Sequence, residues 1–155
     1  MEKKDTAALD RLLESWNRLL ASFPRKKRAL LESVGEEMLE EVRSGIGGTG
    51  KVQGWQAPYQ GSGGGYVAVR ARAKTYQQTK SGKQYAVGYV TNAIEGGHRH
   101  GGPRGGGKGY KPRYKTAAVP GRHFYTQAKQ ALPQMAAGAV RDLTREITDG
   151  LEGRA

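Results

Sequence analysis

Residues 96–115 read Gly-Gly-His-Arg-His-Gly-Gly-Pro-Arg-Gly-Gly-Gly-Lys-Gly-Tyr-Lys-Pro-Arg-Tyr-Lys, a run almost without apolar side chains. Glycine loses the most backbone freedom on folding and adds nothing to a core, so no packed element follows from this composition. A second glycine-rich stretch, residues 45–65, has the same character. The core must come from the flanks and from the short piece between the loops. At 155 residues the chain fits one domain with one modest core.

The flanks carry helical periodicity. Leu9, Leu12, Leu13, Trp16, Leu19, Leu20 and Phe23 recur at three- and four-residue steps, which predicts a helix over 6–22. Pro24 is expected to stop it and to open a second helix ending near Ser44, with Leu31, Val34, Met38 and Val42 inward and Gly45 as its stop. Between the loops, Tyr66–Ala73 alternates in the manner of a half-buried strand, and Gln84–Ala93 does so less cleanly. Lys80-Ser81-Gly82-Lys83 supplies a turn, so the pair is expected to form a hairpin. A last helix from about Arg122 to Gly150 contains Pro133, which should kink or divide it. The expected fold is α+β, a small antiparallel sheet packed by N- and C-terminal helices, with long Gly-rich loops. Its parts are N-terminal helices over 1–45, a loop over 46–65, a hairpin over 66–95, a basic loop over 96–119 and a helix over 120–155.

Charge is segregated. The net charge is +12, yet residues 1–50 balance nine Lys/Arg against nine Asp/Glu, while residues 51–115 hold twelve Lys/Arg and the single acid Glu95. A concentrated basic field draws polyanions by counterion release, or an acidic protein surface by steering. There is no cysteine, which excludes disulfides and thiolate metal sites and suits a reducing cytoplasm. No run reaches the roughly 20 apolar residues needed to cross a bilayer, and the N-terminus does not read as a signal peptide.

Two motifs invite chemical readings that their context does not support. Gly45–Val52 nearly matches a phosphate-binding loop, but Val52 stands where the magnesium-binding hydroxyl belongs, and the segment follows a helix rather than a strand. His98, His100 and His123, with Glu95, have the donor types of a metal site, but exposed histidines in a basic loop are the simpler account. No Ser-His-Asp or paired-carboxylate arrangement is visible. The chain therefore reads as a non-enzyme, with no cofactor and no metal expected.

The basic loops interleave Trp55, Tyr59, Tyr110 and Tyr114 with cations, a pattern suited to phosphate contacts and base stacking. Nucleic-acid binding by these Gly-rich Lys/Arg/Tyr loops is thus the alternative function. The competing account is that the loops order against neighbouring subunits.

Two segments carry a resemblance. Tyr89-Val-Thr-Asn-Ala-Ile-Glu95-Gly96-Gly97 resembles the strand followed by apolar-Glu-x-Gly of the tailed-bacteriophage tail-completion and head–tail joining (neck, minor tail) proteins. Val119-Pro120-Gly121-Arg122-His123-Phe124-Tyr125 resembles their P-x-R-x-F element at the start of a final helix. The order of elements is similar across nearly the whole chain. Gly96 departs from the Phe usual in the family, and the loop 96–115 is unusually long and basic.

The resemblance implies a structural virion protein at the head–tail junction or tail end, assembled in the host cytoplasm. It implies a ring of six copies, bound to a head-side connector or stopper and to tail tube or terminator proteins, and no membrane. Its motif residues here are Glu95, Gly97, Pro120, Arg122 and Phe124. Arg122 is expected to reach Glu95 as a partly buried pair, and Phe124 to enter the core. Candidate contacts to a partner protein or to genomic DNA in the lumen are Arg70, Arg72, Arg99, Arg104, Lys108, Tyr110, Lys111, Arg113, Tyr114 and Lys115.

Overall fold

The computed structural model describes residues 3–48, 50–99 and 118–154. It is α+β. In chain order it has α1 (Lys3–Ile46), α2 (Lys51–Gly54), β1 (Gln56–Gln60), β2 (Val67–Ala71), β3 (Tyr76–Gln78), β4 (Gln84–Ala86), α3 (Val87–Gly96), β5 (Gly97–Arg99), β6 (Ala118–Pro120) and α4 (Phe124–Leu151). The strands form three two-stranded sheets, β1–β2, β3–β4 and β5–β6. The chain divides into two compact units, one of residues 1–37, 59–68 and 131–155, the other of residues 38–58 and 69–130.

In the first unit, Pro24 does not end the helix. It lies inside α1, which runs for 44 residues. A proline there removes one helical hydrogen bond and crowds the carbonyl four residues back, at a cost of about 3 kcal/mol. That carbonyl belongs to Leu20, whose residue is 72% exposed, so water can serve it. Packing on both sides of the proline supplies the rest. Before it, the buried Ser15 hydroxyl donates to the Gly150 carbonyl of α4 at 2.9 Å, and the Trp16 indole donates to the Leu151 carbonyl at 2.9 Å. After it, Lys26 pairs with Glu146 at 2.6 Å. The end of α4 thus runs antiparallel along α1 and splints the proline. Gly150 allows the approach: a Cβ there would sit 3.1 Å from the Leu19 side chain.

The second unit is centred on Val42 and Ile46 of α1 with Phe124 and Ala128 of α4, all buried, against which Val52, Val69, Ile94 and Tyr125 pack. Gly45 lets the helices meet, since a Cβ there would lie 2.9 Å from the Phe124 Cβ. Stretches expected to be loop are partly ordered. Residues 51–60 form α2 and β1, and β1 takes β2 as its partner.

The expected hairpin of 66–73 with 84–93 is therefore a misreading. The turn itself is where the sequence placed it, with Thr79 donating to Lys83 and Gly82 to Thr79, but it joins β3 to β4. Beyond Ala86 the strand becomes α3. Val87, Val90, Thr91 and Ile94 fall on one helical stripe, with Val87 and Thr91 fully buried. Tyr89, which the strand pattern placed beside Tyr85 and Val87, is 76% exposed. A 3.6-residue period has overridden a two-residue one. At the C-terminal end α4 runs unbroken through Pro133 for 28 residues, so the proline does not divide it.

Candidate functional site

The two sequence segments singled out above come together in the second unit. β5 and β6 pair antiparallel, with Gly97 opposite Pro120, His98 opposite Val119 and Arg99 opposite Ala118. Gly97 has φ +76°, and a Cβ on it would lie 2.5 Å from the Val119 carbonyl oxygen. Across from it, a Cβ on Gly121 would lie 2.7 Å from the Gly96 carbonyl carbon and would strike the Glu95 carbonyl oxygen. Both positions exclude side chains, so the two segments close backbone to backbone. Arg122 N–H donates to the Ile94 carbonyl at 2.9 Å and His123 N–H to the Glu95 carbonyl at 3.1 Å, which extends the join to the start of α4.

Glu95 and Arg122 do not pair with each other. The Glu95 carboxylate takes the first turn of α4: it accepts from Tyr125 N–H at 3.0 Å, Thr126 N–H at 3.2 Å and the Thr126 hydroxyl at 3.1 Å. Helix N-termini present unpaired amides and a partial positive charge, and a carboxylate answers both. His123 stands just before the helix with φ +54° and brings no side-chain acceptor of the usual capping kind, so the cap comes from a residue 28 positions earlier. The Arg122 guanidinium turns the other way and donates to the carbonyl of Ile46, the last residue of α1. A cation at a helix C-terminus is the matching arrangement. Each charge therefore serves a helix end of opposite sign. Phe124 is fully buried between them, as its apolar character required.

Beneath this join lies a polar network that the sequence did not reveal. Gln56, 0% exposed, donates to the Val52 carbonyl at 3.0 Å and to the Thr91 hydroxyl at 3.3 Å, and its carbonyl oxygen accepts from the Tyr125 hydroxyl. Thr91 in turn donates to the Val87 carbonyl at 2.9 Å. β1, α3 and α4 are thus tied by side chains whose polar atoms have partners, as burial requires. Burial pushes the Tyr125 hydroxyl up to about 12, the nearby Glu95 charge adds to the rise, and a backbone hydrogen bond from Ala71 opposes it. Gln56 belongs to no motif, and Thr91 lies within the Tyr89–Gly97 segment without being one of its motif residues; the one available signal was the helical spacing of Thr91 with Val87 and Ile94.

The remaining candidates are placed more thinly. Arg70, in β2, and Arg72, just beyond it, are exposed, and Arg72 N–H donates to the Trp55 carbonyl at 2.8 Å. The backbone of Arg99 lies in β5. Arg104, Lys108, Tyr110, Lys111, Arg113, Tyr114 and Lys115 lie outside the described residues, as does His100. Among the described residues no three His, Asp or Glu gather as metal ligands, and no helix is long and apolar enough to cross a membrane. No family model, no curated protein and no solved structure matches the chain.

Chemically, the arrangement fastens one helix end to another, and its ionic atoms bond to the backbone of the two helix ends and to the Thr126 hydroxyl. Glu95→Ala should lower stability by about 1–2 kcal/mol, the usual worth of a cap strengthened by charge. In a double-mutant cycle of Glu95→Ala with Arg122→Ala by urea denaturation, the coupling should stay below about 0.5 kcal/mol. A larger coupling would restore the direct pair. Because the Tyr125 pKa is raised in the folded state, its contribution is complete below pH 10 and declines as pH rises from 10 towards 12. Tyr125→Phe should flatten that alkaline decline in thermal melts, and an unchanged decline would assign it elsewhere.

Proposed function

We propose that the chain is a structural subunit of a tailed-phage virion, a ring-forming tail-completion or neck protein that joins the tail to the head connector, and that it performs no catalysis. The observation that carries this reading is a bare apolar stripe on α1. Leu9, Leu13, Trp16, Leu20 and Phe23, spaced four, three, four and three residues apart, are between 37% and 72% exposed. Leu12, Ser15 and Leu19 on the adjoining face already turn towards α4. A row of five large apolar residues at coiled-coil spacing costs free energy in water and is suited to a protein neighbour.

A second copy of the chain is the occupant that its charges favour. On α1, residues 29–42 carry Glu32, Glu36, Glu37, Glu40 and Glu41, all exposed, and no base, whereas the central segment is strongly basic. One chain therefore carries both signs in different segments, so that head-to-tail contact between copies can join opposite charges. Heterologous contacts of this kind close into rings when the rotation between copies permits. By resemblance the Val119–Tyr125 segment at the start of α4 supports the same reading, whereas Tyr89–Gly96, expected as a strand, lies in the helix α3. The two segments here lock the end of α1, α3 and the start of α4 together within the second unit. In this reading the basic segment 96–119 contacts the next ring, or, with Arg70 and Arg72, the DNA that passes through the lumen.

Electron microscopy of lysates from a phage carrying a stop codon in this gene tests the proposal. Filled heads beside separate tails, or tails with irregular ends, are the expected result. Normal particles would contradict it and bring the nucleic-acid-binding reading forward.

A further inference from the structure

The run Arg25-Lys26-Lys27-Arg28 has no use in the assembly reading, and its setting is unusual. Lys26 alone finds a carboxylate, Glu146. Arg25, Lys27 and Arg28 make no ion pair among the described residues and instead line one wall of a cleft of about 410 Å³. The opposite wall is the glycine turn between β1 and β2, at Ser62, Gly63 and Gly64. That turn is closed by Gly64 N–H donating to the Gly61 carbonyl at 2.8 Å and Gly61 N–H to the Tyr66 carbonyl at 3.1 Å. The amides of Ser62 and Gly63 take no partner among the described residues. No carboxylate lines the cleft.

We propose that this cleft, between residues 25–28 of α1 and the turn at 62–64, binds phosphate groups. Three neighbouring cations repel one another, and no ion pair among the described residues offsets them, so a bound anion of multiple charge relieves a standing cost. Arginine forks match phosphate oxygens in pairs, lysine adds a point charge, and the turn amides of Ser62 and Gly63 are further donors. The volume of about 410 Å³ is enough for a phosphate with its attached sugar. The phosphate comes either from a nucleic-acid backbone or from a small phosphorylated molecule. This site is separate from the motif cluster and from the apolar stripe, and it stands or falls independently of the assembly reading.

The test uses the full chain, the cleft variant Arg25→Gln/Lys27→Gln/Arg28→Gln, and a variant of equal charge change elsewhere, Lys74→Gln/Lys80→Gln/Lys83→Gln. Both sets are on the surface, and circular dichroism melts verify that each folds. Pyrophosphate should raise the melting temperature of the wild type and of the second variant but not of the cleft variant. With a labelled single-stranded oligonucleotide, the slope of log K against log salt should become shallower by about 2 in the cleft variant, roughly 0.7 for each phosphate that is no longer neutralised. Protection by pyrophosphate with an unchanged slope would assign the site to small phosphates. Equal effects of the two variants in both assays would overturn the proposal, as would protection by an acidic peptide in the absence of any effect of pyrophosphate.

Discussion

The second unit depends on a carboxylate and a guanidinium set at two helix ends. Glu95 receives the first amides of α4, and Arg122 gives to the last carbonyl of α1. A bare helix end leaves several backbone groups unpaired and exposes one pole of the helix dipole. Here the two deficits lie close together, because Gly45 lets the end of α1 meet the start of α4 at Phe124. Residues that adjoin in sequence, Ile94 to Gly97 and Pro120 to His123, hold each other by backbone contact through two glycines. Remove the glycines and the segments cannot close; remove the charges and the helix ends must turn to water.

Much of this was legible in the residues, though the logic of the pair was not. Opposite charges on two segments suggested a salt bridge, the simplest use of an acid and a base. What the sequence does not display is which helix terminus lies within reach of each, and at a terminus the backbone competes with any side chain for the charge. Phe124 was readable because a large apolar residue opening a helix has few other places to go. The Gln56–Thr91–Tyr125 network was not readable, since polar residues in a core follow no periodicity and are recognised only once their partners are found.

The α+β class and the helical flanks followed from apolar periodicity, and the errors have three physical sources. Pro24 breaks an isolated helix, but α4 keeps α1 helical through it by contacts on either side. Tertiary packing outweighed a local preference. In 87–96 two periods were superimposed, and the one that buries Val87 and Thr91 prevailed over the one that would have buried Tyr89. Glycine-rich composition misled in a third way. It marked 45–65 as loop, yet glycines at the bends leave room between them for α2 and for β1, which pairs with β2.

The central claim is that the chain is incomplete alone and that copies of it cover one another. Sedimentation velocity of the purified protein over a range of concentrations tests this most directly, with Leu9→Ser/Leu13→Ser/Leu20→Ser run beside it. The account predicts a discrete oligomer for the wild type, seen as rings in negative stain, and a folded monomer for the variant. A wild-type chain that sediments as a monomer at every concentration, with its apolar stripe bare, would contradict it.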